Sequence, residues 1–231
     1  MNKSEVMSFM SEFRQIELSK GHVYLCAFDV TKFSAFHMRK AQIILPARLK
    51  AAVPKRQAEF IAGRTLASVA LKKLGFPETL IPIGKHRSPV WPKGIVGSIS
   101  HNASFAVACA KLTEDNSAMG IDIETLFTES QANEVQDLIC HQEDFKWFNQ
   151  PPLSYVQLIT LIFSVKESLF KAIYPNIQRY LEFQDAKLID LNIETSVGRL
   201  ELMIKNSHNT SRYYEFEYQW VDNNIITFIS V

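Results

Sequence analysis

Cysteine is scarce in this chain: Cys26, Cys109 and Cys140 are the only three in 231 residues, an odd number with no CxxC spacing. That argues against a disulfide framework and a cysteine-bound zinc, and it fits a reducing, cytoplasmic compartment. No apolar run reaches the roughly 18 residues a membrane helix needs. The stretch from Met1 to Arg14 interrupts its apolar residues too early for a signal peptide, so a protein that is not transmembrane is expected. An excess of charge of one sign is also missing. With 25 Lys and Arg against 24 Asp and Glu the net charge is +1, which gives no support for broad nucleic-acid or membrane attraction; any anion must be met by local clusters. GxxxxGK[ST], GxGxxG and a serine-hydrolase elbow are all absent, so neither a nucleoside-triphosphate loop nor a dinucleotide fold has support.

What remains is ordinary globular composition, 47% hydrophobic and 21% charged, enough for one large domain or two small ones. Val6, Phe9, Met10 and Phe13 predict a short amphipathic helix over residues 1 to about 20, followed after Gly21 by an apolar run of strand length. Pro54 opens a long helix, Lys55 to about Leu74, that carries Lys55, Arg56 and Arg64 and stops at Gly75. A loop rich in breakers and charge, Pro77 to Pro92, holds Lys85, His86 and Arg87. Gly97 to Ala110 then reads as two strands joined at His101–Ser104. Between Glu124 and about Pro152 the weak periodicity suggests loosely packed surface helices. Ser154 to Tyr174 is a strong helix closed by Pro175, and strands follow at Ala186–Leu191, Arg199–Ile204, Tyr213–Trp220 and Ile225–Val231, with Asp222–Asn224 as a turn.

The strand–turn–strand of Ser98 to Cys109 aligns without a gap with Tyr218 to Ile229, and each lies downstream of a long helix bearing basic residues. This predicts a duplicated α+β architecture with halves at 1–118 and 119–231, a seam near residues 110–119, and a ligand between the halves.

Gly120-Ile-Asp-Ile-Glu124 is the most suggestive stretch. A period of two puts Asp122 and Glu124 on one face of a strand and Ile121 and Ile123 on the other. Adjacent carboxylates repel, so they are either well solvated at a strand edge or share a hard cation. Forty-three positions after Glu124, Phe163-Ser-Val-Lys-Glu-Ser-Leu-Phe-Lys171 sets Glu167 and Lys171 at i, i+4 among phenylalanines, with Lys166 beside them. Taken alone this is an exposed ion pair. Beside a cleft, Glu167 becomes a third oxygen ligand, with Lys166 and Lys171 facing phosphates. Ser98-Ile-Ser-His101 is either an ordinary turn or a phosphate donor set. Arg56 and Arg64, eight apart, share a helical face. The inventory suits phosphoryl-type chemistry by positioning and charge neutralisation.

Gly97-Ser-Ile-Ser-His101, Gly-Ile-Asp-Ile-Glu124 and Phe-Ser-Val-Lys-Glu-Ser-Leu-Phe-Lys171, in that order, resemble the signature set of the Sfp-type 4′-phosphopantetheinyl transferases. Lys55-Arg-Gln-Ala-Glu-Phe-Ile-Ala-Gly-Arg64 and Arg87-Ser-Pro-Val-Trp-Pro92 narrow the resemblance to the enterobactin-synthase component D branch, which arms carrier proteins of siderophore synthetases. Asn102 stands in place of the cysteine often found after the histidine in that branch. The resemblance spans about residues 46 to 231.

It implies two similar α+β halves in pseudo-twofold arrangement with coenzyme A at their interface. Asp122, Glu124 and Glu167 would hold Mg²⁺, and Glu167 would be the base for a carrier-protein serine. Lys171 and His101, with Ser100, would meet the phosphates. Arg56 and Arg64 would meet the 3′-phosphate and adenosine region, and the Lys85–Val90 loop, including Arg87, Ser88 and Pro89, would pack on the nucleotide. Lys166 would support the site. A monomer is expected, with coenzyme A and an apo carrier protein as partners and no nucleic acid. The carrier surface is expected within 125–155. The alternatives are the same reaction on polyketide or fatty-acid carriers, another metal-dependent phosphoesterase, and an inactive binding domain.

Overall fold

The computed structural model describes residues 8–11, 13–40, 43, 45–76, 81–114, 117–148, 152–204 and 211–231. The chain divides into two units, Met1–Glu114 and Asp115–Val231. Parts of these expectations lie outside the described residues: 1–7 and 12 of the N-terminal helix, 77–80 of the Pro77–Pro92 loop, 115–116 of the seam, and 149–151.

Unit 1 contains β1 (Arg14–Leu18), β2 (Gly21–Ala27), the short helices α1 (Ala35–Lys40) and α2 (Ala47–Lys50), the long α3 (Pro54–Lys73), then β3 (Ile95–His101) and β4 (Phe105–Leu112). The strands form an antiparallel sheet in the order β1-β2-β4-β3. α3 starts on Pro54, whose missing N–H costs nothing in a first turn. It ends in a Schellman motif: Phe76 N–H donates to Leu71 O at 3.0 Å and Gly75 N–H to Lys72 O at 3.1 Å, with Gly75 at φ +83°, a conformation glycine adopts without strain. Ile61, Leu66 and Leu71 of α3 bury against Tyr24, Cys26, Ala106 and Ala108 of the sheet.

The expected N-terminal helix is a misreading over 14–18. Arg14 to Leu18 pairs residue for residue with β2 as an edge strand, and most of its side chains are exposed. Phe9 and Met10, adjacent in sequence, are both buried, and Met10 bridges Phe28. Apolar residues at roughly helical spacing served a chain entering a sheet.

Unit 2 contains β5 (Met119–Thr125), α4 (Glu129–Ile139), α5 (Tyr155–Ile177), β6 (Ala186–Asn192), β7 (Val197–Leu202), β8 (Tyr213–Val221) and β9 (Asn224–Ser230). The sheet is antiparallel in the order β5-β9-β8-β7-β6. α5 lays Leu158, Ile162, Val165, Leu169 and Ile173 on Tyr214, Phe216, Tyr218, Ile225 and Ile229.

Two expectations are corrected in this unit. Pro175 does not close α5; the helix runs to Ile177, and Gln178, at φ 50°, caps it by donating to Tyr174 O at 2.8 Å. Only one backbone bond is forfeited, and in the last turn, where a proline does least harm. Nor is α4 loosely held. Thr128 and Gln131 form a reciprocal capping box, and Ala132 and Ile139 are buried in the core of the unit.

The two units share one order of construction. In unit 1 β2 leads to α3 and then to the β3–β4 hairpin, whose last strand returns beside β2. In unit 2 β5 leads to α5 and finally to the β8–β9 hairpin, whose last strand returns beside β5. The protein is thus an α+β fold of two similar halves. Its cysteines are all free and buried. Among the described residues no helix is long and apolar enough to cross a membrane.

Candidate active site

In unit 2 the acidic strand meets the long helix at a glycine. A side chain on Gly120 would strike the backbone of Ser168 and stand 2.8 Å from Ala172 N, so β5 and α5 touch there backbone to backbone. The period-two reading of β5 holds, with a difference in what the polar face meets. Gly120, Asp122 and Glu124 share the face under α5, while Ile121 and Ile123 are buried on the other. The acids therefore do not line a solvated edge: Asp122 is 5% exposed.

Both Asp122 oxygens are engaged. Ser164 Oγ donates to Oδ2 at 2.8 Å, and Lys171 Nζ donates to Oδ1 at 2.6 Å. Glu124 is half-buried, with one oxygen accepting from Thr125 N at 2.9 Å. Burial pushes its carboxyl up to about 7; Asp122 and Glu167 add repulsion, while the Thr125 N–H and Lys171 pull the other way. Glu167 is likewise raised, by burial first, with Lys171 opposing and Asp122 reinforcing. Asp122, Glu124 and Glu167 thus sit within mutual electrostatic reach, and Lys171 acts on all three.

Fully ionised, three carboxylates facing one ammonium leave two uncompensated negative charges in a half-buried place. This is the environment a hard divalent cation relieves, and the donors are all oxygen. Among the described residues no group of three or more His, Cys, Asp or Glu side chains is placed to hold a metal ion. A cation that keeps several waters and shares its shell with substrate phosphates needs no all-protein cage.

Lys166 does not face this site. Its side chain is fully buried, and its Nζ donates to Ile139 O at 2.7 Å, to Asp144 Oδ2 at 2.9 Å and to Phe183 O at 3.1 Å. Asp144 in turn accepts from Leu188 N and His141 N. The expected phosphate-facing Lys166 is a buried strut of unit 2. One residue along a helix turns a side chain by about 100°, so neighbouring Lys166 and Glu167 point to different places.

Unit 1 has its own concavity, about 440 Å³, whose lining includes Arg48, Arg56, Glu59, Arg64, Arg87, Pro89 and His101. Four arginines and a histidine against one glutamate make it an anion site by charge. α3 supplies Arg56 and Arg64 from one face, as their spacing predicted. Arg64 is buried, donates Nε to Ile81 O at 2.8 Å and lies over the Phe60 ring; burial pulls its guanidinium down to about 10, so it stays charged at neutral pH. Arg56 Nη1 donates to Glu59 Oε2 and to His101 Nε2, both at 2.9 Å. That bond makes Nε2 an acceptor and leaves the proton of a neutral His101 on Nδ1, 3.8 Å from Glu59.

The 83–90 loop brings Arg87 to the cavity through two consecutive left-handed residues, His86 at φ 50° and Arg87 at φ 68°. Ser88 stabilises the turn by donating Oγ to Lys85 O at 2.8 Å. Lys85 is exposed and, like Ser88, lies outside the cavity lining. Ser100 does not accompany His101. Strand alternation puts it on the opposite face of β3, buried and away from this cavity. Asn102 makes the β3–β4 turn, its Oδ1 accepting from Ser104 N and Phe105 N.

Sequence reasoning missed Ser164, Arg48 and Glu59. Ser164 had a signal, since two serines at i, i+4 stand on a helix face otherwise occupied by large apolar residues. Arg48, on a four-residue helix, and Glu59, in the middle of α3, had none.

Residues 45–111 match the family model of the 4′-phosphopantetheinyl transferase N-terminal domain, and residues 118–228 match that of the 4′-phosphopantetheinyl transferase superfamily. The chain belongs to this superfamily. It is 32% identical over 213 residues to enterobactin synthase component D of Salmonella typhi, covering 91% of this chain and 86% of that one. Against the protein of the same name from Escherichia coli K12 it is 37% identical over 146 residues, 63% of this chain and 68% of the other. The 4′-phosphopantetheinyl transferase Svp of Streptomyces mobaraensis is 32% identical over 166 residues, 67% of this chain and 63% of the other.

Proposed function

We propose that this phosphopantetheinyl transferase moves the phosphopantetheine arm of coenzyme A to a serine of an apo carrier protein, with Mg²⁺ as its metal and carriers of siderophore-type peptide synthesis as its targets. The observation that carries the reading is the set Asp122, Glu124 and Glu167 in mutual electrostatic reach beside Lys171. Mg²⁺, when bound, supplies charge neutralisation for the pyrophosphate. Asp122, Glu124 and Glu167 are the residues that would hold it. Lys171 offers an ammonium to a phosphate oxygen. In unit 1 Arg56, Arg64 and His101 meet the 3′-phosphorylated nucleotide end, with Arg87 and Pro89 against it.

Glu167 takes the proton of the carrier serine, directly or through a water. The serine oxygen bonds to the β-phosphorus, the pyrophosphate P–O bond breaks, and 3′,5′-ADP leaves with the electron pair. A carboxylate raised by burial is a better base near neutral pH than an ordinary one. The name of the Salmonella and Escherichia relatives supports a siderophore carrier. Cytoplasmic location and a monomeric state belong to the same reading.

The test is direct. Incubation with apo carrier protein, coenzyme A and Mg²⁺ adds one phosphopantetheine to the carrier, read by intact-mass spectrometry. No addition across siderophore-synthetase, polyketide and fatty-acid carriers overturns the reaction, and preference for either of the latter two overturns the siderophore assignment.

A further inference from the structure

Beneath Asp122 lies a row of hydroxyls to which the proposed reaction gives no role. Ser164 and Ser168 of α5 and Thr227 of β9 are all fully buried. Thr227 stands directly opposite Asp122 in the β5–β9 register. Ser164 Oγ lies 2.8 Å from Asp122 Oδ2 and 2.9 Å from Thr227 Oγ1. Ser168 Oγ lies 2.7 Å from Thr227 Oγ1 and 2.9 Å from Thr227 O.

The charge on Asp122 orders this row. An ionised carboxylate only accepts, so the Ser164 proton is committed to Oδ2. Ser164 Oγ must then receive the Thr227 hydroxyl proton, and Ser168 directs its own to Thr227 O, shared with Oγ1. Ser164 and Thr227 thus each have one proton and one place to put it.

The two ends of the carboxylate therefore differ. Oδ2 is tied to a buried, immobile row anchored on both α5 and β9. Oδ1 is held by Lys171, whose side chain is 28% exposed, so this oxygen has the more accessible partner.

We infer that Ser164, backed by Thr227, is a positioning residue that fixes the carboxylate plane of Asp122 for the divalent cation. The inference rests on the metal assignment above. Partners of this kind, one bond removed from a metal, typically change metal affinity about 10–100-fold. A merely structural serine would change stability on replacement by alanine and leave metal affinity where it was.

The experiment measures Mn²⁺ affinity by the EPR signal of free Mn²⁺, with 3′,5′-ADP present, together with the Mg²⁺ dependence of transfer. Ser164→Ala should weaken Mn²⁺ binding about 10-fold or more and raise the Mg²⁺ needed for half-maximal rate by the same factor, with less effect on the rate at saturating Mg²⁺. Ser164→Thr, which keeps the hydroxyl, should recover most of the affinity. Thr227→Val, which removes the backing donor but keeps the shape, should weaken binding less than Ser164→Ala and serves if that variant does not fold. Thr160→Val is the control: its buried hydroxyl lies on α5 but donates to Val156 O and accepts from Phe127 N, away from Asp122, so it should leave Mn²⁺ affinity unchanged.

Wild-type affinity in Ser164→Ala, or in Thr227→Val should Ser164→Ala not fold, overturns the inference while the proposed reaction stands. A wild-type enzyme that transfers phosphopantetheine but binds no Mn²⁺ overturns the metal assignment and this inference with it.

Discussion

Gly120 faces the peptide group of Ser168, with no room for a side chain between the strand that carries Asp122 and Glu124 and the helix that carries Glu167. The nearest obstacle is backbone, which cannot swing aside as a side chain would. Gly120→Ala must lift α5 from β5, so the loss should reach or exceed the ~1–3 kcal/mol usual for overpacking. Urea denaturation should show it, and the proposed Mg²⁺ requirement should rise as the carboxylates separate. A variant as stable as wild type would mean that the two elements can slide.

Glu167→Gln keeps shape and removes the basic oxygen. Transfer to the carrier should fall about 10²–10⁴-fold, with the larger effect on kcat. Activity within a few-fold of wild type would take the role of base from Glu167.

The raised carboxyls make the metal-free protein sensitive to pH. In the unfolded chain Glu124 titrates at its ordinary value, whereas in the fold burial holds its proton up to about 7. Between those values the native state binds more protons than the unfolded one, so stability falls as pH rises through the window. Glu167, also raised, acts in the same direction. Urea midpoints measured in chelator at pH 5 and pH 8 should show the fall, Glu124→Gln should flatten it, and added divalent cation should restore stability at the alkaline end.

Lys166→Met separates a structural from a phosphate-binding role. Removing one partner of a buried pair typically costs ~3–5 kcal/mol, because Asp144 is left as an uncompensated charge. KM for coenzyme A, measured where the variant is folded, should stay within about two-fold of wild type. A large rise in KM with unchanged stability would return Lys166 to the phosphate site.

How far these residues could be read in advance depended on what each signal measures. α3 and α5 carry apolar stripes long enough to fix a period, and Pro54, Gly75 and Ser154 mark their ends by backbone chemistry that tertiary contacts seldom override. The alternation in β5 separated acids from isoleucines correctly, but period two cannot say which face a helix will cover, and the acids went under α5. The same alternation, applied to Ser98-Ile-Ser-His101, would have parted Ser100 from His101; a motif read as a unit hid it. Phe9 and Met10 misled because a few apolar residues near helical spacing also suit a chain entering a sheet. α4 seemed loose because its apolar stripe is narrow, yet Thr128 and Gln131 spelled a capping box. Arg48 and Glu59 were illegible, since only the folded cavity distinguishes them from any other surface charge.

Burial leaves the three native thiols chemically silent. The Cys26 and Cys140 thiols are pushed up to about 12, and Cys109 is sealed in the sheet. A cysteine introduced at any exposed position therefore becomes the one reactive handle of the folded enzyme under mild alkaline labelling. Fluorophores or crosslinkers aimed at the carrier surface can be attached to the natural sequence with no prior cysteine removal, and a second label taken up would itself report unfolding.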